Sequence, residues 1–373
     1  MKKVRLGELA TYINGYAFKP ADWVNKGLPI IRIQNLTGSS QELNYYDGEY
    51  PLKTEINNGD VLISWSASLG VHIWNKGKAL LNQHIFKVLF DKMEVDKKYF
   101  VYAVKHNLST MESHMHGATM KHIIKKDFDN ILVPYPSLER QEKIAKVLTN
   151  LEKILESKNL QLQSYEQLIK SRFVEMFGDI SINSKSFDIK PFGDLCFKIG
   201  DGLHGTPLYD DKGNYYFING NNLGNDCIKI TETTKKVNEE VFKKYYIQFG
   251  ENTVFLSING TLGNVALYND EPIILGKSAA YCNLKPSLHI KFVAELFKTN
   301  EFKEYMLSNS SGTTITNFGL KAFRNYPMIV PPMILQTQFT KFVEQVDKLK
   351  FEVQKSLDET KKLFDSLMQE YFG

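Results

Sequence analysis

The stretch SRFVEMFG at residues 171–178 returns as SLMQEYFG at residues 366–373. The two align without a gap, Ser171 on Ser366, Glu175 on Glu370, Phe177 on Phe372 and Gly178 on Gly373, at an offset of 195. The same offset carries Leu168 to Leu363, Gln141 to Gln336 and Phe128 to Phe323. Upstream it shrinks in small steps. Leu69-Gly70 meets Leu262-Gly263 at 193, Asn35-Leu36 meets Asn222-Leu223 at 187, and Gly7 and Leu9 meet Gly193 and Leu195 at 186. A drift of one sign is what a few short insertions in surface loops produce. The chain is therefore one unit written twice.

Each unit closes on about 40 residues without proline, with glycine only at Gly178 and Gly373, where a helix stop is favoured. Apolar positions step by four and three in turn. In the first copy the seam runs Ile144, Leu148, Leu151, Leu155, Lys158, Leu162, Tyr165, Ile169, Arg172 and Met176. In the second it runs Phe339, Val343, Val346, Lys350, Val353, Leu357, Thr360, Phe364, Leu367 and Tyr371. This is a coiled-coil stripe. The polar interruptions differ between copies, since Lys158 corresponds to Val353 and Lys350 to Leu155. Two helices packed on each other in one register explain that difference. A helix of ~40 residues spans about 60 Å. That is ample to separate two domains by one DNA turn, roughly 34 Å.

The remainder of each unit reads as a globular mixed domain. IIRI, DVLIS, HIFKVLF, NILV, IKI, TVFLSI and MIV are short strands bounded by Gly, Asn, Asp and Pro. Residues 97–115 and 290–309 are predicted as one helix per domain. Pro134/Pro136 and Pro331/Pro332 mark the boundaries before the long helices. The expected order is a globular domain over 1–138, a helix over 139–178, a second globular domain over 179–333 and a helix over 334–373. The expected fold is mixed α/β (α+β): two pseudo-repeated globular domains joined by two long antiparallel coiled-coil helices.

Several function classes are missing their signatures. There is no Walker A motif, GxGxxG, GxSxG or HExxH, and Pro331-Pro332 lacks the flanking residues of an amino-methyltransferase tetrad. His114, His116 and His122 form the densest histidine group, but a metal site needs a further organised ligand. They read as loop histidines, and no metal is expected. No apolar run of ~18 residues predicts a membrane span. MKKVRLGELA has no apolar core of a secretory signal. Cys196, Cys227 and Cys282 are few, scattered and odd in number, as expected of buried thiols in the cytoplasm.

What remains is polar loop chemistry, written twice. The first copy carries Asn14, Tyr16 and Lys19 in NGYAFK, Arg32, Gln34 and Asn35 in RIQN, Ser66 and Ser68 in SWSAS, and Thr119, Lys121 and His122 in GATMKH. The second carries Asp201, His204 and Thr206 in DGLHGT, and Asn219, Asn221 and Asn222 in NGNN. It continues with Asn259 and Thr261 in NGT, Thr314 and Thr316 in GTTITN, and then Lys321. Such side chains carry the donors and acceptors that read base edges, and glycine lets a loop approach a ligand closely. Asn-Gly is also an ordinary turn, so any single loop has a purely structural reading. Residues 1–138 hold 17 Lys and Arg against 13 Asp and Glu, residues 179–333 hold 16 against 16, and the two helices 13 against 13. The formal excess of +4 thus lies in the first domain.

Over its whole length the chain resembles the specificity (S) subunits of type I restriction–modification systems. The resemblance rests on the duplication and on the boundary motifs PYPSLERQEKI, from Pro134 to Ile144, and PPMILQTQF, from Pro331 to Phe339. The helix ends SRFVEMFGD and SLMQEYFG, and the loop DGLHGTP, complete it. The first copy departs at that loop, with NGYAF in its place. The resemblance implies two target recognition domains, each reading one half of a split site on double-stranded DNA. It implies paired helices that fix the gap and dock two modification subunits. The chain itself would be non-catalytic and bind no cofactor. Modification subunits would bring S-adenosylmethionine and methylate adenine N6, and restriction subunits would use ATP and Mg. The rival readings are a DNA-specificity accessory subunit of another restriction–methylation enzyme and a coiled-coil scaffold with no DNA role. The scaffold leaves the repeated loops unexplained.

Overall fold

The computed structural model describes residues 2–66, 68–114, 125–224, 226–311 and 316–373. The chain divides into two units, Met1–Asn159 with Lys355–Gly373, and Leu160–Gln354. The central helix, Leu138–Phe177, and the C-terminal helix, Met333–Phe372, each give residues to both.

In the first unit a four-stranded antiparallel sheet has the order Thr11–Asn14, Ile85–Leu89, Val61–Ser64, Gly70–Ile73. A second sheet runs Asn44–Tyr46, Leu28–Ile31, Ala79–Leu81, Glu55–Ile56, with Ile30 and Ile31 parallel to Leu80 and Leu81. The strand Val61–Ser64 is buried on both faces, as its unbroken apolar run requires. Val61 and Ile63 enter a core with Phe86, Phe100 and Leu148. Leu62 points the other way, towards Ile31, Trp74 and Leu81. The period of two in side-chain direction thus builds two cores from one strand.

The second unit repeats the plan. Its four-stranded sheet runs Cys196–Asp201, Ala279–Leu284, Thr253–Ser257, Val265–Leu267. Its second sheet pairs Tyr215–Ile218 in parallel with Ile273–Leu275. Val254 and Leu256 join Phe292 and Phe339, while Phe255 joins Ile218 and Leu275. In both units a short ladder brings the start of the globular part back to the foot of a long helix. Lys3–Arg5 pairs with Leu132–Pro134, and Asp188–Pro191 with Pro327–Val330.

Three expectations fail. Cys227 is exposed, whereas Cys196 and Cys282 are buried thiols as expected. Of the run IKI at 228–230 only Ile228 lies in a strand, the two-residue Cys227–Ile228. Residues 290–309 form two helices, Ile290–Phe297 and Asn300–Ser308, where one was expected. Thr299 interrupts them by taking an extended backbone, and its hydroxyl accepts from the Phe302 N–H at 3.2 Å as an N-cap. In the first unit Lys97–His114 is continuous.

Within each unit the long helices run antiparallel. In the first, Lys158 Nζ donates to Ser356 Oγ at 2.8 Å, while Ile144 and Leu148 share a core with Phe364, Met368 and Phe372. In the second, Phe173 packs on Phe339 with centroids 5.5 Å apart, and Lys350 lies 4.0 Å from Glu166. Every seam position read from the sequence is buried or half-buried. The stripe widens near the helix ends, where Phe173, Phe177, Met368 and Phe372 are also buried against the globular parts. Gly178 closes the central helix with φ +72° and donates to the Val174 carbonyl at 2.8 Å.

The equivalent glutamines Gln141 and Gln336 sit at the feet of these helices, almost fully buried. Gln336 Oε1 accepts from the His289 N–H at 2.8 Å, and its Nε2 donates to the carbonyls of Ser287 at 3.1 Å and Pro331 at 2.8 Å. Gln141 likewise accepts from the Asp96 N–H at 3.0 Å and donates to the Pro136 carbonyl at 2.9 Å. Replacing Gln336 with Leu strands a buried N–H and two carbonyls, at a cost of about 1–3 kcal/mol. Denaturant unfolding of Gln336→Leu against the parent chain checks this, and an unchanged midpoint contradicts the latch.

Candidate nucleic-acid interface

The candidate loops are gathered by backbone hydrogen bonds, and the gathering is the same in both units. In the first, the Tyr16 N–H donates to the Leu81 carbonyl at 2.8 Å, and the Gln83 N–H returns to the Tyr16 carbonyl at 2.9 Å. The Asn82 N–H reaches the Ile31 carbonyl at 3.1 Å, and the Trp65 N–H the His84 carbonyl at 3.2 Å. In the second, the Leu203 N–H donates to the Leu275 carbonyl at 2.7 Å, and the Lys277 N–H to the Leu203 carbonyl at 3.1 Å. The Gly276 N–H reaches the Ile218 carbonyl at 2.8 Å, and the Ile258 N–H the Ser278 carbonyl at 3.0 Å. The turns Asn82–His84 and Gly276–Ser278 are thus the hubs. They hold the Asn14, Arg32 and Ser66 segments together in one unit, and the Asp201, Asn219 and Asn259 segments in the other.

Gly15 and Gly202 stand at equivalent places in this weave. A Cβ on Gly15 would press into the carbonyl oxygens of Leu81 and Asn82, and one on Gly202 into the Leu275 carbonyl. These glycines admit a neighbouring strand, which corrects the reading of them as an opening for a ligand. Gly260 differs, with φ +74° and open space around it.

The side chains fall into distinct groups. Asn14 is exposed, and its Oδ1 accepts from Trp65 Nε1 at 3.2 Å. Trp65 in turn meets the exposed His84 ring edge-on at 5.0 Å, and His84 has φ 73°. Tyr16 is partly exposed and packs edge-on against Phe18 at 4.9 Å. Lys19 and Ser68 are exposed, and Gln34 and Ser66 half-buried. Arg32 lays its guanidinium 5.1 Å from the Trp23 ring, leaving Arg32 Nε and Trp23 Nε1 buried with no hydrogen-bond partner.

In the second unit His204 Nε2 lies 2.7 Å from Asp201 Oδ2. Asn219 Oδ1 accepts from Ser278 Oγ at 3.0 Å. Thr206, Asn221, Thr261 and Lys321 are exposed. Asn259 bridges to Asn317, and the Gly260 N–H donates to the Thr316 carbonyl at 3.1 Å, which adds the Thr316 segment to the cluster. Thr119, Lys121, His122 and Thr314 lie outside the described residues, as do His116 and the side chain of His114. Among the described residues no group of three His, Cys, Asp or Glu is placed to hold a metal ion, and no helix is long and apolar enough to cross a membrane.

Asn35 and Asn222 are tied into their own loops. Asn35 Oδ1 accepts from the Arg32 N–H at 3.0 Å and its Nδ2 donates to the Glu42 carbonyl at 2.8 Å. Asn222 Oδ1 accepts from the Asn219 N–H at 3.0 Å and its Nδ2 donates to the Lys229 carbonyl at 3.3 Å. Both ends of each amide take part in shaping the loop, so these two side chains carry a structural role beside the hydrogen-bonding capacity left over.

A family model, the type I restriction modification DNA specificity domain, matches residues 1–164 and again 185–360. The chain belongs to this family. Members of it, the specificity subunits, are the non-catalytic DNA-recognition subunits of type I complexes. This specificity subunit is 21% identical to the EcoBI specificity subunit of Escherichia coli over a 405-residue alignment covering 99% of the chain and 85% of the relative. It is 27% identical to the MjaVIII specificity subunit of Methanocaldococcus jannaschii over 198 residues, covering 52% of the chain and 45% of that relative. The crystal structure of an S subunit from M. genitalium superposes with a TM-score of 0.59 at 18% identity, covering 100% of this chain and 96% of that one. A chain from a study of complex assembly and conformational transition of the type I system gives 0.55 at 15% identity, covering 99% and 97%. These two likenesses establish the fold.

Sequence reasoning about this specificity subunit missed Trp65, Gln83, His84, Lys277 and Ser278. Gln83 and Lys277 carried a faint signal: each is a polar residue set between two apolar runs, in ALLNQHIF and ILGKSAA. The weave predicts that Gly202→Ala costs about 1–3 kcal/mol by overpacking. Denaturation of the variant, with the exposed Gly205→Ala as reference, measures it; equal stability of the two contradicts the close approach.

Proposed function

We propose that this specificity subunit reads a bipartite, asymmetric site on double-stranded DNA, one half with each unit. One observation carries the reading: the same backbone scaffold is built twice and bears different side chains. Asn14, Tyr16 and Trp65 stand on it in the first unit where Asp201, Leu203 and Ile258 stand in the second. Duplicated backbone with divergent edges suits two recognitions of one kind and different sequence. Lys19 and Lys321 are exposed cations suited to phosphates, giving salt-dependent, sequence-independent affinity. Asn14, Arg32, Ser66, Ser68, His204, Asn221, Asn259 and Thr261 are the base-reading candidates, each good bidentate pair being worth ~1–3 kcal/mol.

The long helices set the gap between the halves and offer docking surfaces to two modification subunits. Val147, Ile154, Leu160 and Val174 on the central helix are exposed, as are Leu349, Phe351 and Leu363 on the C-terminal helix. Apolar side chains of this size facing water support a protein interface. The modification subunits would bring S-adenosylmethionine and methylate adenine N6. Restriction subunits would bring ATP and Mg for translocation and cleavage. The complex would act on host and invading DNA in the cytoplasm.

Mapping N6-methyladenine across the host genome with and without this gene tests the proposal. Loss of a single bipartite motif is expected, and an unchanged map with an active modification subunit present overturns it. Lengthening both long helices by one heptad is expected to widen the gap and leave both half-site sequences intact. A changed half-site in that variant's methylation map would remove the helices from the role of spacer.

A further inference from the structure

We infer that the hub turns are themselves specificity determinants, with Gln83 reading an adenine in one half-site and Lys277 a guanine in the other. The inference rests on the two-half reading above and assigns two of its contacts. Gln83 and Lys277 occupy one place on the shared scaffold, because the Gln83 N–H is fixed to the Tyr16 carbonyl and the Lys277 N–H to the Leu203 carbonyl. Each turn is tied on several sides, to strand Leu28–Ile31 or Tyr215–Ile218 before it and to Trp65 or Ile258 beside it. A side chain leaving such a turn starts from a fixed point, which is what discrimination between base edges demands.

Both side chains are exposed, and neither has an intrachain hydrogen-bond or ion-pair partner among the described residues. That separates them from Asn35 and Asn222, whose amides are engaged at both oxygen and nitrogen in shaping their loops. It separates them also from Asn14, which holds Trp65, and from Asn219, which holds Ser278. The chemistry then differs by unit. A glutamine amide offers one donor and one acceptor, matching adenine N7 and N6–H₂ in the major groove. A lysine ammonium only donates, matching guanine N7 and O6.

The test uses the full complex with its modification subunits in the host, reading the N6-methyladenine motif for Gln83→Lys and Lys277→Gln. Gln83→Lys is expected to change one adenine to guanine in one half-site, leaving the other half and the gap as they were; the intact other half reports a folded subunit. Lys277→Gln is expected to do the reverse in the opposite half. Gln83→Ala is expected to lower discrimination at that one base by roughly 5- to 150-fold in binding of singly substituted duplexes. The inference is overturned by an unchanged motif in either exchange, by a parent motif with no guanine in the half read by the second unit, or by affinity falling equally on all sequences with a salt slope reduced by about one, the mark of a phosphate contact. If Gln83→Lys abolishes modification, binding by the purified Gln83→Ala complex decides, and discrimination retained there overturns the assignment. A parent complex that marks no bipartite site would instead defeat the two-half reading.

Discussion

One buried glutamine holds each globular part to its long helix, and the rest of the architecture depends on that junction. Gln141 and Gln336 satisfy the backbone where the entering strand, the core helix and the long helix all converge. A loop in that position would leave polar groups in an apolar core. With the glutamine in place, the foot of the helix is defined by hydrogen bonds whose geometry tolerates little drift. The short ladders whose second strands end at Pro134 and Val330 reinforce the same point. Any helix that measures distance between binding surfaces needs such a rigid mount, because play at the joint would blur the measurement.

The duplicated loop weave shows how a fold lets its loop side chains vary without losing stability. Its bonds are made by backbone N–H and C=O groups, which every residue but proline supplies. The side chains are left out of the weave and vary between the copies: Asn14 against Asp201, Gln83 against Lys277, His84 against Ser278. Only the positions of closest backbone approach, Gly15 and Gly202, are held to one residue type. Partner chemistry is also rearranged locally. Trp65 is anchored by Asn14 in one unit, whereas Ser278 is anchored by Asn219 in the other.

Much of this was legible in the sequence, for identifiable reasons. The repeat and the heptad seam depend on residues close in sequence or at a fixed offset, so Ile144 through Met176 and Phe339 through Tyr371 could be placed directly. The strands Val61–Ser64 and Thr253–Ser257 announced themselves as continuous apolar runs. The break at Thr299 was hidden because residues 290–309 keep a helical apolar pattern through it, and the cap replaces a single turn. The hub turns were hidden because their meaning is non-local: Gln83 matters through Tyr16, and Asn82 through Ile31. The loop-shaping role of Asn35 and Asn222 was hidden for the opposite reason. An amide suited to a base edge is equally suited to a carbonyl a few residues away, and composition does not separate the two.

The way the units divide the chain bears on how they are made. Leu160–Gln354 is one continuous segment, but Met1–Asn159 is completed by Lys355–Gly373. Phe364, Met368 and Phe372 belong to the same core as Ile144, Leu148 and Phe100. On the ribosome those aromatic and thioether groups emerge only after the whole of the intervening segment. At ~5–20 residues per second that delay lasts roughly 10–40 s. During it the first globular part exposes the apolar faces of Ile144 and Leu148, so the amino-terminal half of the chain is the later one to close.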